Sequence, residues 1–175
     1  RSRVVAACRW PGGRISACHR RKARPASWIC WRRSGQMMTP DPKALDGWVA
    51  EGAHHYLLRV QFEDTDAGGI VYHANYLAFA ERARSAYLRC IDIRQEEQMA
   101  AAAADGGMMF VVRRLTVDYR RAAGLGAALR VETRLEALRG ASMSLRQDVV
   151  DFDNGHILAR LLVDIGCVAV SRHGG

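Results

Sequence analysis

The chain has 175 residues, 25% of them charged, and a formal net charge of +8. That length gives one domain with a sizeable core, and no apolar run approaches the roughly 20 residues that cross a bilayer as a helix. The charge does not indicate a nucleic-acid partner, because it is confined to one end: residues 1–36 carry ten Lys/Arg and no acid, and the remaining 16 basic and 18 acidic residues leave a net of −2.

Residues 1–36 also hold Trp10, Trp28, Trp31, Cys8, Cys18 and Cys30, with Pro11, Gly12 and Gly13 breaking the run early. They show neither helical nor strand periodicity. The apolar stretch Val4–Cys8 is too short for a secretory signal. The segment is expected to be a basic arm, disordered or upstream of the native protein, since Met37–Trp48 reads like an ordinary start. A transit peptide ranks second and a nucleic-acid arm third. Residues 37–53 are then a lead-in, and 54–172 the folded domain.

His54–Asp64 alternates, with Tyr56, Leu58, Val60 and Phe62 on one face and Arg59, Gln61 and Glu63 on the other. Period two predicts a half-buried strand. It runs into the acidic stretch Glu63, Asp64, Asp66 and then Gly68-Gly69. From Tyr76 the period changes: Tyr76, Phe79, Ala80, Ala83, Tyr87, Cys90 and Ile91 make one stripe, with Glu81, Arg82, Arg84 and Ser85 opposite, which predicts a long amphipathic helix. Arg94–Asp105 predicts a second, alanine-rich helix stopped by Gly106-Gly107.

Strands follow. Val111, Leu115, Val117 and Tyr119 share a face, with Arg113 as the exception. Val131, Thr133, Leu135 and Ala137 alternate with charged residues. Ala141–Val170 contains two strands, with Asn154-Gly155 predicting a type I′ hairpin between them. The last strand carries an apolar face from Ile157 through Ile165, Cys167 and Ala169. Helices segregated from hairpin-connected strands predict an α+β class, in which one long helix covers one face of a five-stranded antiparallel sheet.

Among chemical candidates, Asp66 is the sharpest. Alone it reads as a turn or cap residue. Its place between a strand end and a helix start changes that reading, because helix N-terminal amides favour developing negative charge. A carboxylate beside such donors suits attack on a carbonyl. Asp64 reads as a turn residue and Glu63 as solvated. His73 is a general base, a ligand or a helix-start side chain, and its backbone N–H counts for more than its ring. No second His or Cys stands at ligand spacing and no C-x-x-C exists, so neither a metal nor any other cofactor is expected. Cys90 and Cys167 are expected as buried thiols in a reducing, cytoplasmic setting. Gly124–Leu129 lacks the third glycine of a dinucleotide fingerprint and leads into a strand. Arg113, Arg114, Arg120 and Arg121 form either a solvated rim or a grip for phosphates.

Arg59–Arg84 resembles the 4-hydroxybenzoyl-CoA thioesterase family of hotdog-fold enzymes, nearest the branch of bacterial acyl-CoA thioesterases associated with the Tol-Pal system. The pattern Arg-Val, four residues, Thr-Asp, two residues, Gly-Ile-Val, one residue, His, two residues, Tyr is met in full from Arg59 to Tyr76. The resemblance continues to about Val170. It implies the hotdog fold, a five-stranded sheet wrapped around one long central helix, and hydrolysis of acyl-CoA thioesters. It implies Asp66 as the catalytic carboxylate and the His73 amide as the group that polarises the thioester carbonyl, with the His73 ring at a position that branch also uses. Gly69, Tyr72 and Tyr76 in the same stretch, and Arg113, are the expected substrate contacts. The substrate is expected to be acyl-CoA or an acyl carrier protein, and the assembly a homodimer or homotetramer. Ala122-Ala123 and Gly126-Ala127 depart from the family's Pro-Ala and Gly-Asp. A non-catalytic acyl-CoA or acyl-carrier-binding module on the same fold is the competing reading, and the intact Asp66 counts against it.

Overall fold

The computed structural model describes residues 42–170. The basic arm expected over residues 1–36 lies outside the described residues. Eight elements follow a 3-10 turn at Pro42–Asp46: β1 (Trp48–Ala50), β2 (Ala53–Arg59), α1 (Asn75–Cys90), α2 (Gln95–Asp105), β3 (Gly107–Tyr119), β4 (Ala128–Arg139), β5 (Ser142–Asp151) and β6 (Ile157–Val170). The strands make one antiparallel sheet in the order β1-β2-β4-β5-β6-β3.

Among the described residues the sheet therefore has six strands, where five are expected, and α2 is the alanine-rich helix expected over Arg94–Asp105, beside the one long helix α1. The additional strand, β1, falls within the expected lead-in. Glu51 and Gly52 both take positive φ (52° and 69°) between Ala50 and its partner Ala53. Two such residues make the two-residue hairpin turn whose twist suits the flanking strands. Glu-Gly is a poorer signal for it than Asn-Gly. Asn154-Gly155, conversely, does not make that turn. Only Gly155 has positive φ (73°), and Asp151 organises a longer loop. Its Oδ1 accepts from the Asp153 amide at 2.9 Å, and its backbone N donates to His156 O at 2.9 Å. Local Asx bonding at Asp151 outcompetes the tight turn.

α1 packs across the sheet through Phe79, Ala80 and Ala83, all fully buried. The small alanines let the helix lie close to Leu129 and Val131 of β4, Val149 of β5, and Ala159, Leu161 and Val163 of β6. Burying Phe79 and Leu161 stabilises the fold by about 1.5–3 kcal/mol each. Arg84, expected on the solvated side, is instead buried at 7% exposure. Its Nη1 donates to Gln147 Oε1 at 2.7 Å and its Nη2 pairs with Glu81. Gln147 in turn donates to Ala80 O and Thr133 Oγ1, both at 3.0 Å. A buried guanidinium needs such partners to offset its lost hydration.

β3 breaks its alternation at a bulge between Val112 and Arg114. Direct antiparallel partners share a face, so Leu115 opposite Val163 looks toward the core, and Val112 opposite Ile165 lies on that face at its exposed margin. Val111, expected to join Leu115, lies on the other face. The extra residue, Arg113, reverses the phase. Phe62 also departs from expectation. It leaves the strand for a 3-10 turn, Phe62–Asp64, and is 82% exposed. Cys90 and Cys167 are half-buried free thiols. Cys90 Sγ lies 3.3 Å from Asp46 O, and burial raises its pKa.

Candidate active site

After β2 the chain turns back on itself before entering α1. The Asp64 carboxylate accepts from the Gln61 amide at 2.7 Å and closes the 3-10 turn. The Asp64 carbonyl accepts from the Tyr72 amide and from Asn75 Nδ2, both at 2.9 Å. Asp64 is buried, so its role as a turn residue agrees with the sequence reading. An antiparallel bridge then joins Thr65 to Val71. The Asp66 amide donates to Ile70 O at 2.9 Å, and the Gly69 amide donates to Asp66 O at 3.0 Å. Gly69 sits at φ 72°, where a side chain would strain the backbone. The loop also docks onto residues 123–126. The Val71 amide donates to Ala123 O at 2.9 Å, Ile70 bridges Gly124, and Arg59 Nη1 donates to Gly126 O at 2.7 Å.

Asp66 is exposed on this frame. Its Oδ1 accepts from the Gly68 amide at 2.8 Å, which fixes the side chain's direction. Its other oxygen carries no hydrogen bond or ion pair among the described residues. A Cβ on Gly68 would stand 3.1 Å from Asp66 Oδ1, so a side chain there would crowd the carboxylate. One Asp66 oxygen therefore makes the turn, and the other is free among the described residues.

The start of α1 supplies donors. The Asn75 amide is used by Tyr72 O at 2.8 Å and the Leu77 amide by Ala74 O at 3.0 Å. The amides of His73 and Ala74 have no such partner among the described residues. The N-cap, Ala74, brings no side-chain acceptor. Unsatisfied amides at this end carry part of the helix dipole's positive pole. Tyr119, at the end of β3, donates its hydroxyl to His73 O at 2.9 Å and so orients the peptide that leads to Ala74. The His73 ring tilts over Tyr72 at 4.4 Å and meets Tyr119 edge-on at 6.3 Å between centroids.

The structure thus brings Asp66, Gly69, Tyr72, His73 and Tyr76 into one loop-and-helix cluster. Tyr76 is buried beneath it, packed against Phe79 and Tyr119. Burial raises the Tyr76 pKa, while the nearby Ala123 backbone pulls it down and burial prevails. No group satisfies the geometry of a hydrogen bond to that hydroxyl. Arg113 is not part of the cluster. It lies at the β3 bulge, six residues from Tyr119, or about 20 Å along the strand. The sequence reading overlooked Tyr119, Arg59 and Asn75. Tyr119 looked like one more apolar-face residue, and only the strand's meeting with the helix start gives its hydroxyl a task. No group of three or more His, Cys, Asp or Glu side chains suited to a metal occurs among the described residues.

Comparison with known proteins gives the family. Residues 68–157 match the thioesterase superfamily, a span that begins just after Asp66. The chain is 41% identical over 124 residues to the acyl-CoA thioesterase YbgC of Haemophilus influenzae, covering 71% of this chain and 87% of the relative. It is 44% identical over 97 residues to the acyl-CoA thioester hydrolase YbgC of Escherichia coli, covering 55% and 69%. A probable thioesterase from Bartonella henselae superposes with a TM-score of 0.61 at 31% identity, over 66% of this chain and 91% of that one. Sequence and superposition agree on one lineage, and this chain belongs to the thioesterase superfamily, with its hotdog fold.

Proposed function

We propose that the protein hydrolyses acyl-CoA thioesters to the free acid and coenzyme A, with Asp66 as the catalytic carboxylate. The observation that carries this reading is the state of that side chain: one oxygen tied to the Gly68 amide, the other without a partner among the described residues, at the approach to a helix start whose His73 and Ala74 amides are likewise unengaged there. The His73 amide, or that of Ala74 beside it, receives the thioester oxygen and stabilises the negative charge that grows on it. Asp66 attacks the carbonyl carbon to form a mixed anhydride that water then hydrolyses to the free acid, or takes a proton from an attacking water. The C–S bond breaks and sulfur leaves as thiolate. With a thiol pKa of about 8.5 it needs little acid assistance, so a site with one carboxylate suffices. Gly69 lets the loop turn tightly beneath the substrate, Tyr72 offers an exposed ring at the entrance, and buried Tyr76 packs against Tyr119, which holds the His73 carbonyl.

The assembly belongs to the same proposal. β3 has 13 residues and pairs with β6 along one edge only, and Met108, Val111 and Val112 are exposed. A long open edge invites a second copy, and a homodimer through β3 satisfies it. Free Cys90 and Cys167 suit the cytoplasm, and no described helix is long and apolar enough to cross a membrane.

The test is thiol release from acyl-CoAs by the wild type and by Asp66→Asn. The variant keeps the shape of the side chain and removes its charge. A loss of at least about a hundredfold in turnover, with binding of a non-hydrolysable analogue retained, is expected. Near wild-type turnover by Asp66→Asn would remove the assignment.

A further inference from the structure

The carboxylate and the amides of the proposed site stand on different segments. Asp66 belongs to the turn after β2, whereas the His73 and Ala74 amides lead into α1. A carboxylate and an oxyanion donor act together only at the right separation, and a misplacement of about 1 Å can cost about a hundredfold in rate. The loop between them is tied to itself, by Asp66 to Ile70 and by Thr65 to Val71. From α1, one hydrogen bond among the described residues reaches residues 60–66: Asn75 Nδ2 donates to the Asp64 carbonyl at 2.9 Å.

Asparagine is favoured near helix starts because its side-chain oxygen accepts from free amides. Asn75 is used the other way round. Its oxygen carries no hydrogen bond among the described residues, and its Nδ2 is turned to a carbonyl outside the helix. The far side of that bond is firmly held. Asp64 is buried, its carboxylate accepts from the Gln61 amide at 2.7 Å, and its carbonyl accepts from the Tyr72 amide as well as from Asn75. Asp66 follows two residues later. The near side is fixed by Asn75 itself, whose backbone amide donates to Tyr72 O at 2.8 Å. That peptide is trans, so the His73 N–H points opposite to the Tyr72 carbonyl. The main chain of Asn75 thus aims the His73 amide, while its side chain holds the Asp66 segment against it.

We infer that Asn75 is a positioning residue for the reaction: its carboxamide sets the separation between the Asp66 carboxylate and the His73 amide. This inference rests on the thioesterase reading and on Asp66 as its carboxylate. Substituting Asn75 leaves its backbone bond to Tyr72 in place, so the amide keeps its aim and only the tie is lost. The Asp64 carbonyl keeps the Tyr72 amide, so no buried group is left without a partner and the fold should lose little.

The experiment is thiol release from a panel of acyl-CoAs by the full chain, for the wild type, Asn75→Ala, Asp66→Asn and the double variant. Asn75→Ala is expected to lower kcat at least about tenfold, with KM within about twofold and melting temperature within about 5 °C of the wild type. In the Asp66→Asn background no charged carboxylate remains to be placed. There the same substitution should lower the residual turnover by less than about twofold, as for residues that act as a unit. Asn75→Ser also removes the carboxamide and should show the same pattern if Asn75→Ala fails to fold. A kcat within about twofold of wild type in these variants overturns the inference. So does an equal loss in both backgrounds, or a loss carried by KM, since each makes Asn75 merely structural. These outcomes leave the thioesterase reading standing. No thiol release from any acyl-CoA by the wild type overturns both.

Discussion

The two ends of α1 are built on opposite principles. At the N-terminal end, residues 60–76 are held mainly by backbone bonds, Tyr72 to Asp64, Asp66 to Ile70, Gly69 to Asp66 and Val71 to Ala123, with the buried Asp64 carboxylate and the Asn75 side chain as further ties. Asp66, Tyr72 and His73 are exposed on that frame. At the C-terminal half, side chains do the holding. Leu88, Phe110 and Met143 line an apolar cavity, and Arg84, Gln147 and Thr133 form a buried polar chain beneath it. A substitution of an exposed side chain at the first end should therefore alter the reaction and spare the fold. A substitution at the second should alter the fold.

The largest expected effect separates two neighbours within the first end. Asp66→Asn should lose at least about a hundredfold in turnover with little change in melting temperature. Asp64→Asn should retain far more activity and lose stability instead, because its carboxylate caps a buried turn. Thiol release and calorimetric melting of both variants measure the contrast, and inactivation at Asp64 with activity kept at Asp66 would break it. Next comes Arg84→Ala at the second end. It leaves Gln147 Oε1 without its donor in the core and is expected to cost about 2 kcal/mol of stability, read from urea unfolding. Glu81 is half exposed and recovers water, which keeps the loss below that of a fully buried pair.

A smaller effect joins the two ends. Tyr119→Phe removes the donor to His73 O. The His73 peptide loses its tether, and turnover should fall by about fivefold, equivalent to about 1 kcal/mol, with KM little changed. An unchanged kcat would mean that the helix start holds its own amides in place.

The smallest effect is in the pH dependence. His54 is fully buried, stacked on Tyr87 at 5.3 Å, with Nε2 2.6 Å from Asp46 O and Nδ1 unpartnered. Burial is the main cause lowering its pKa below 6.5. His55 adds to this, and the Asp46 backbone and charge oppose it. The unfolded chain therefore takes up the proton more readily. The contribution is complete above the unfolded pKa and is lost as pH falls below it. Melting temperature should decline between about pH 7 and pH 5, and His54→Gln should flatten that decline. A slope unchanged in the variant would assign it to other groups.

Much of the first end was legible because its signals are local. The acidic stretch, the glycine pair and the change of period at Tyr76 all lie within neighbouring residues, and a turn's chemistry depends on its own few positions. The long helix, the alanine-rich helix and the β6 face were legible for the same reason. What escaped the sequence reading depended on distant partners. Arg84 looked solvated from its place on the helical wheel, and Gln147, 63 positions away, joins Glu81 in making its burial tolerable. Val111 looked like a core residue until the bulge at Arg113 reversed its phase. β1 was missed because three residues and a Glu-Gly turn are a weak local signal, fixed only by pairing with β2.

The sequence by itself determined the α+β class, the order of the main elements and the placing of Asp66 at a strand-to-helix turn, since periodicity and turn residues act over a few positions. Tertiary structure alone decided that Tyr119 reaches His73, that Arg84 is buried against Gln147, and that Arg113 stands apart from the loop cluster. Those outcomes depend on register between strands far apart in the chain, and a one-residue change of register exchanges every side chain between core and solvent.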